Sequence, residues 1–318
     1  YNFINENKES EDSLTLRPSY SVNPDIINSK TFYQFTDING NEYKQPLIYA
    51  DNSAIESADI ILFTVKSYQV KQAIADIQHL IPSQATVILC HNGLGAIDEL
   101  PCSFTNSQTM LAMLTTHGCL KPAPLTIIHT GLGQVDFGLI FNKSILNSNN
   151  EKRNCKYTTE LEDELTQSLT LQVTQRITQL LSPAKLHKDI LEKQWLKLAI
   201  NCVINPLTAI HDMSNSGILA KEFNRQCRGV LQEVVLVAKT QGINLELEAL
   251  INTVKKVAKA TSNNSSSMRC DINANKKTEV DYINGYIHKI GQKFNIATPL
   301  NSKLWQNVTF LSKANTNN

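Results

Sequence analysis

The stretch from Trp195 to Ile210 limits what this chain can become more than any other. Before Pro206 it is apolar except for Lys197, Asn201 and Asn205, spaced i, i+4, i+8. On a helix that spacing stacks all three on one face. The other faces carry Leu196, Leu198, Ala199, Ile200, Val203 and Ile204. A helix apolar nearly all round is a buried helix, so other elements must enclose it. A buried polar stripe must be paired or must line a cleft. In one reading Asn201 and Asn205 bridge neighbouring helices while Lys197 snorkels to the surface. In the other, the stripe recognises a small oxyanion or ketone, and a lysine in a desolvated cleft donates a proton near neutrality. Pro206 lacks a backbone donor and predicts a bend or an end to the helix.

The 318 residues suffice for two domains, and 42% hydrophobic with 19% charged residues is a globular composition. A net charge of +1 gives no electrostatic case for nucleic acid or for an acidic membrane. No apolar run approaches the roughly 18 residues of a transmembrane helix. The 7 cysteines show no Cys-x-x-Cys pair and no Cys/His cluster at metal spacing. They predict no metal, and a reducing cytoplasm rather than a disulfide framework. There is no signal-peptide pattern and no internal repeat.

The first part of the chain alternates strands with helices. Leu14-Thr15-Leu16 is a short strand candidate ending at Arg17, and in a dinucleotide fold a basic residue after the second strand often meets the 2′-phosphate of NADP. Thr31–Phe35 and Glu42–Lys44 read as a hairpin around Asn39-Gly40. Ile60–Val65 reads as a strand covered on both faces. Ser67 is the expected N-cap of a helix with Val70, Ala73, Ile74, Ile77 and Leu80 in period. Ligands in such sheets sit at the carboxyl ends of strands, which singles out Lys66 and Gln69. Thr86–Cys90 is a further buried strand, followed by His91-Asn92-Gly93-Leu94-Gly95. Those glycines let a backbone approach a ligand closely, and Asn92 is either a turn residue or a ligand contact. Met110–Leu114 is a strand ending in Thr115–Cys119. Leu125–His129 and Gln134–Phe137 read as an antiparallel pair. A loop follows over 142–156 and a helix over 161–181, and Ser182-Pro183 ends it.

Residues 1–181 are therefore expected to form a doubly wound α/β domain. Residues 186–318 read as all-helical, with helices near Leu219–Thr240, Leu245–Thr261, Thr278–Phe294 and Pro299–Ser312. Ser262–Met268 between them is a linker or an N-cap region. The site is expected in the cleft between the domains.

Lys-Leu-Ala-Ile-Asn-Cys-Val-Ile-Asn-Pro-Leu-Thr-Ala-Ile over 197–210 resembles the signature helix of the ketopantoate reductase (2-dehydropantoate 2-reductase) family. Thr-Val-Lys-Ser-Tyr-Gln-Val at 64–70, His-Asn-Gly at 91–93, Ser-Ser-Met at 266–268 and Thr-Glu-Val-Asp-Tyr-Ile-Asn-Gly at 278–285 extend the resemblance over most of the chain. It implies a Rossmann-type NADP-binding domain and a helical one, and NADPH-dependent reduction of 2-dehydropantoate to (R)-pantoate in pantothenate (coenzyme A) biosynthesis. It implies catalytic roles for Lys197 and Glu279, with His117 the next candidate acid. Asn92, Asn201, Asn205, Asn215, Asn264, Ser265, Ser266 and Ser267 are the implied substrate contacts. Arg17, Lys66, Gln69, Asn92, Cys119 and Glu279 are the implied cofactor contacts. The expected state is monomer or homodimer.

One departure stands out. The family opens with Gly-x-Gly-x-x-Gly, whereas the first glycine here is Gly40, and Gly93-Leu94-Gly95 and Gly131-Leu132-Gly133 lack the third glycine. The simplest account is a sequence without its first βα unit. A related 2-oxoacid or 3-hydroxyacid reductase, or a non-catalytic NADP-binding protein, are the alternatives.

Overall fold

The computed structural model describes residues 15, 32–46, 48, 50–105, 107–141, 173–179, 181 and 183–316. Arg17, the ends of the Leu14–Leu16 strand and the loop expected over 142–156 lie outside them. Contacts divide the chain into two compact units. The first holds Tyr1–Val65, Gln69–His91 and Leu100–Ile190, and the second holds Lys66–Tyr68, Asn92–Glu99 and Leu191–Asn318.

In the first unit, β1 (Phe32–Thr36) and β2 (Glu42–Pro46) form the expected hairpin. Asp37 Oδ1 accepts from the N–H groups of Asn39 at 2.9 Å and Asn41 at 2.8 Å, and Gly40 takes φ +85°. An aspartate that bonds its own turn, and a glycine free to go left-handed, are what such a turn requires. Strands β3 (Ile60–Phe63), β4 (Thr86–Leu89) and β5 (Thr109–Thr115) pair in parallel. Three short helices punctuate them: α1 (Asn52–Glu56), α2 (Val70–Ile77) and α3 (Cys102–Thr105). Along α2, Val70, Ile74 and Ile77 are buried, following the helical period. α4 (173–179), part of the helix expected over 161–181, sets Val173 and Ile177 against Ile88, Leu111, Met113 and Phe137.

Three strand expectations need correction. β4 is buried throughout, but β3 is an edge strand of its sheet among the described residues and leaves Leu62 41% exposed. An apolar run records a strand's composition, not whether both of its faces are covered. Nor do the segments around His129 and Phe137 pair with each other. β7 (Thr126–Gly131) lies between β1 and β6 (Gly118–Ala123) in a four-stranded sheet, while β8 (Val135–Phe141) pairs antiparallel with β5. Finally, β9 (Ala184–Leu186) adds to β8 in parallel, so the sheet continues past Pro183 where only helices were expected. Strand partners are chosen by tertiary packing, which local pattern does not encode. Among the described residues Cys119, Cys202, Cys227 and Cys270 are free thiols.

The second unit is built on α5 (Ile190–Ile210). Trp195, Leu198, Ala199, Cys202, Val203 and Leu207 are all no more than 1% exposed, so the helix is as enclosed as its sequence demands. Around it lie α6 (Asn224–Thr240), α7 (Leu247–Ala260), α8 (Ser267–Asn273), α9 (Asn284–Lys293) and α10 (Pro299–Thr316). Their buried side chains, including Val230, Val234, Val254, Ile287, Leu304 and Val308, share one core with those of α5.

α5 does not stop at Pro206 but runs on to Ile210. Proline withdraws the N–H that would bond the carbonyl four residues back, that of Cys202. The Asn284 side-chain amide donates to that carbonyl at 3.0 Å instead, and with its second hydrogen to Asn301 Oδ1 at 2.9 Å. The helix ends at Ile210, and Asp212 just beyond it turns the chain in the left-handed region at φ +46°. Buried Glu233 of α6 accepts from the N–H groups of Leu300 at 2.8 Å and Asn301 at 2.9 Å. It thus satisfies donors that the start of α10 leaves open.

Candidate active site

Within the second unit, polar side chains converge on Glu279, which is 4% exposed. Its Oε1 accepts the Ser67 N–H at 3.0 Å, the Ser67 hydroxyl at 2.7 Å and the Asn92 N–H at 3.4 Å. Its Oε2 accepts from Asn92 Nδ2 at 3.0 Å and lies 3.5 Å from Lys66 Nζ. Lys66 Nζ lies nearer to Asp271 Oδ2, at 2.7 Å. Burial pushes the Glu279 carboxyl up, but Lys66, Asn92 and Ser67 outweigh it and hold the group below its ordinary value. Burial pushes the Lys66 ammonium down, and Glu279 with Asp271 more than reverses this. Asp271 goes the other way, raised chiefly by burial despite Lys66. A 2.7 Å contact is that of a charge-assisted bond, so the Lys66–Asp271 pair is read as ionised.

Lys66, Asn92 and Glu279, singled out in the sequence at three distant points, thus meet in one cluster. Two local readings change. Ser67 does not cap α2: the residue before that helix is Gln69, without a side-chain cap, and the Ser67 hydroxyl instead reaches Glu279 and the Asn92 carbonyl, the latter at 2.5 Å. Gly93 and Gly95 make room for protein. Gly93 takes φ +78°, and a Cβ there would stand 2.2 Å from the Tyr282 carbonyl oxygen. That oxygen accepts the Leu94 N–H at 2.8 Å, and the Tyr282 hydroxyl donates to Glu99 at 2.9 Å. A Cβ on Gly95 would come 2.8 Å from the Tyr286 ring. Asp271 was not singled out; it stands one helical turn past Ser267, but its partner Lys66 is 205 positions away.

A second polar group forms where α5 ends. The Asn215 N–H donates to the Asn264 carbonyl at 3.0 Å, and Asn215 Nδ2 donates to the Thr261 hydroxyl at 3.0 Å. Asn215 Oδ1 is buried with no partner among the described residues. Ser266 caps α8, its Oγ accepting from the Arg269 N–H at 3.1 Å and from the Thr208 hydroxyl at 2.7 Å. Asn264, Ser265 and Ser267 are exposed. On α5, Lys197 and Asn201 are half-buried and Asn205 is buried, and the Asn205 carbonyl meets the Thr208 hydroxyl at 3.1 Å.

Gln69 and Cys119 belong to the first unit, with Cys119 on β6. There too, His117 Nδ1 lies 3.1 Å from His129 Nε2 and accepts the Gly133 N–H at 3.3 Å. Burial and His129 lower its pKa, which makes it a weaker acid-base candidate at neutrality. Among the described residues no three His, Cys, Asp or Glu side chains could hold a metal ion, and no helix is long and apolar enough to cross a membrane.

Comparison with known proteins bears on what this arrangement serves. A family model described as "Ketopantoate reductase PanE/ApbA" matches residues 25–141, and one described as "Ketopantoate reductase PanE/ApbA C terminal" matches residues 189–312. The 2-dehydropantoate 2-reductase of Vibrio cholerae is 34% identical over 257 residues, 81% of this chain and 79% of that protein. This chain belongs to the ketopantoate reductase family. The Salmonella typhi 2-dehydropantoate 2-reductase is 28% identical over 86% of this chain and 80% of its own length. Among solved structures, D-mandelate dehydrogenase with NADH and anilino(oxo)acetate superposes with a TM-score of 0.73 at 22% identity, covering 89% of this chain and 86% of that one. A dimeric ketopantoate reductase from Staphylococcus aureus gives 0.70 at 17% identity, covering 90% and 88%. These structures share the fold: the α/β first unit with its parallel strands and the helical second unit are those of ketopantoate reductases.

Proposed function

We propose that this protein reduces the ketone of 2-dehydropantoate to (R)-pantoate with NADPH, a step of pantothenate biosynthesis. The observation that carries the reading is the Glu279 cluster, assembled from three separated family segments in a chain 34% identical to a 2-dehydropantoate 2-reductase. The enzyme works in the cytoplasm as a monomer or homodimer.

The residues present fit the nicotinamide side of such a cofactor. The Lys66 ammonium and the Asn92 amide follow the carboxyl ends of β3 and β4, where a dinucleotide presents amide, hydroxyl and anionic groups. The sequence spells no Gly-x-Gly-x-x-Gly, so no pyrophosphate cradle is assigned. Gln69, Cys119 and Glu279 complete the assigned cofactor side, and Arg17 takes the 2′-phosphate and hence the preference for NADPH. When bound, the nicotinamide supplies the hydride. Lys197 stabilises the charge that develops on the ketone oxygen and delivers the proton to it. Asn201, Asn205, Asn215 and the segment Asn264, Ser265, Ser266 and Ser267 orient the carboxylate and hydroxyl of the substrate. Glu279, already engaged by Ser67, Asn92 and Lys66, acts by holding those groups in place.

The test is cofactor oxidation by the purified protein with 2-dehydropantoate against a panel of other 2-oxoacids, with NADPH and with NADH. The expected result is the highest kcat/KM for 2-dehydropantoate with NADPH. A better kcat/KM for an aromatic or unbranched 2-oxoacid would overturn the substrate, and parity of the two cofactors would overturn the role of Arg17.

A further inference from the structure

Two carboxylates flank the Lys66 ammonium, and they differ in what else they hold. Glu279 accepts four bonds from Ser67 and Asn92, and Lys66 is its most distant donor, at 3.5 Å. The Asp271 contact to Lys66 is shorter, at 2.7 Å. Lys66 is half-buried and the Asp271 side chain 13% exposed, so solvent screens their attraction only in part. Asp271 lies on α8, whose start is pinned by the Ser266 cap and by the bond from Arg269 Nε to Asp212 at 2.8 Å. The carboxylate is therefore presented from a fixed element. The neighbouring segment is pinned as well: the Tyr68 hydroxyl donates to the Lys277 carbonyl at 3.2 Å, and the Lys277 ammonium stands 4.6 Å from the centre of the Tyr68 ring.

We propose that Asp271 is a positioning residue of the cofactor site, setting the place and the protonation of Lys66 while Glu279 sets Ser67 and Asn92. The proposal rests on the reading that Lys66 contacts the cofactor. A long, flexible lysine aims its ammonium only when something holds it, and a charge-assisted bond from a helix-borne carboxylate does so. The same negative charge favours the protonated amine. Glu279 and Tyr68 also face Lys66, and Glu279 and Lys276 also face Asp271, so removing Asp271 takes away the nearer of the two carboxylates described beside the ammonium.

The variants are Asp271→Asn, which keeps the size and removes the charge, and Lys66→Ala. The first readout needs no cofactor: the Lys66 ammonium is followed by 15N NMR against pH. Asp271→Asn should lower the Lys66 pKa, and an unmoved titration overturns the proposal whatever Lys66 contacts. The second readout is the NADPH dissociation constant against pH. Asp271→Asn should weaken binding by about tenfold near neutrality, the worth of one charge-assisted bond. The alkaline loss of affinity should begin at lower pH, with kcat at saturating cofactor little changed. A uniform loss at every pH, with the alkaline limb unmoved, means a merely structural role and overturns the proposal. Lys66→Ala separates the underlying reading: if it binds NADPH as tightly as the parent, Lys66 does not contact the cofactor, even where the NMR shift is found. Should Asp271→Asn fail to fold, Asp271→Glu keeps the charge at altered reach. It should hold the Lys66 pKa near the parent value, and a pKa well below it overturns the proposal.

Discussion

Glu279 joins Ser67 and Asn92 to one carboxylate, and the charge of that group is what makes the junction strong. Its pKa lies below the ordinary value because Lys66, Asn92 and Ser67 outweigh the effect of burial. A carboxyl depressed on folding contributes stability above its unfolded pKa and loses it as pH falls through the folded pKa. Glu279→Gln presents an amide hydrogen where Oε2 now accepts, so it should lower the melting temperature at neutral pH. The gap to the parent should close on acidification, below the usual carboxylate range. A gap that stays constant down to strongly acidic pH would show that shape, not charge, is what Glu279 supplies. At Lys197 the expected effect is on chemistry. Lys197→Ala should lower kcat by roughly 10²–10⁴, the cost of a lost general acid, and leave NADPH affinity nearly unchanged. Lys197→Gln should not restore the rate, because an amide donates a hydrogen bond without giving up a proton. If Lys197→Ala keeps most of its kcat at saturating substrate, the proton comes from elsewhere.

Among the elements, α5 shows both what the sequence declares and what it hides. Its apolar faces and polar stripe follow from a 3.6-residue period, and they are where the pattern puts them. What compensates Pro206 is hidden, because the donor, Asn284, lies 82 residues away. The same distance problem hid Asp271, the partnering of β7 and β8, and Ser67's attachment to Glu279. Each is a pairing between remote segments, while propensity and period speak only for neighbours. The candidate site was legible as Lys66, Asn92 and Glu279 through resemblance, and their meeting around one carboxylate was not. Asn284→Ala strands the Cys202 carbonyl and Asn301 Oδ1 in a fully buried setting. Each stranded acceptor costs roughly 1–3 kcal/mol. Urea unfolding should therefore show a loss of about 2 kcal/mol or more, with α5 fraying beyond Cys202. A loss below about 0.5 kcal/mol would mean that Pro206 is tolerated without help.

Across the whole molecule, chain order and physical grouping part company. Lys66–Tyr68 and Asn92–Glu99 follow β3 and β4 in sequence but belong to the helical unit. The reasons are local and strong: Ser67 is bonded to Glu279, Leu94 to Tyr282, and Gly93 leaves no space for a side chain beside Tyr282. The first residues after two sheet strands therefore answer to the stability of α5 and α9 rather than to that of the sheet. Native-state hydrogen exchange tests this, since opening proceeds in cooperative units of differing free energy. Asn284→Ala weakens the helical unit alone. In that variant the Ser67 and Leu94 amides should exchange faster in step with those of α9. The Cys90 amide, bonded to the Phe63 carbonyl at 2.8 Å within the first unit, should keep its parent rate. Ser67 and Leu94 amides that instead kept pace with Cys90 would assign both segments to the sheet, and the Glu279 bonds would then be contacts that the two segments make without depending on them.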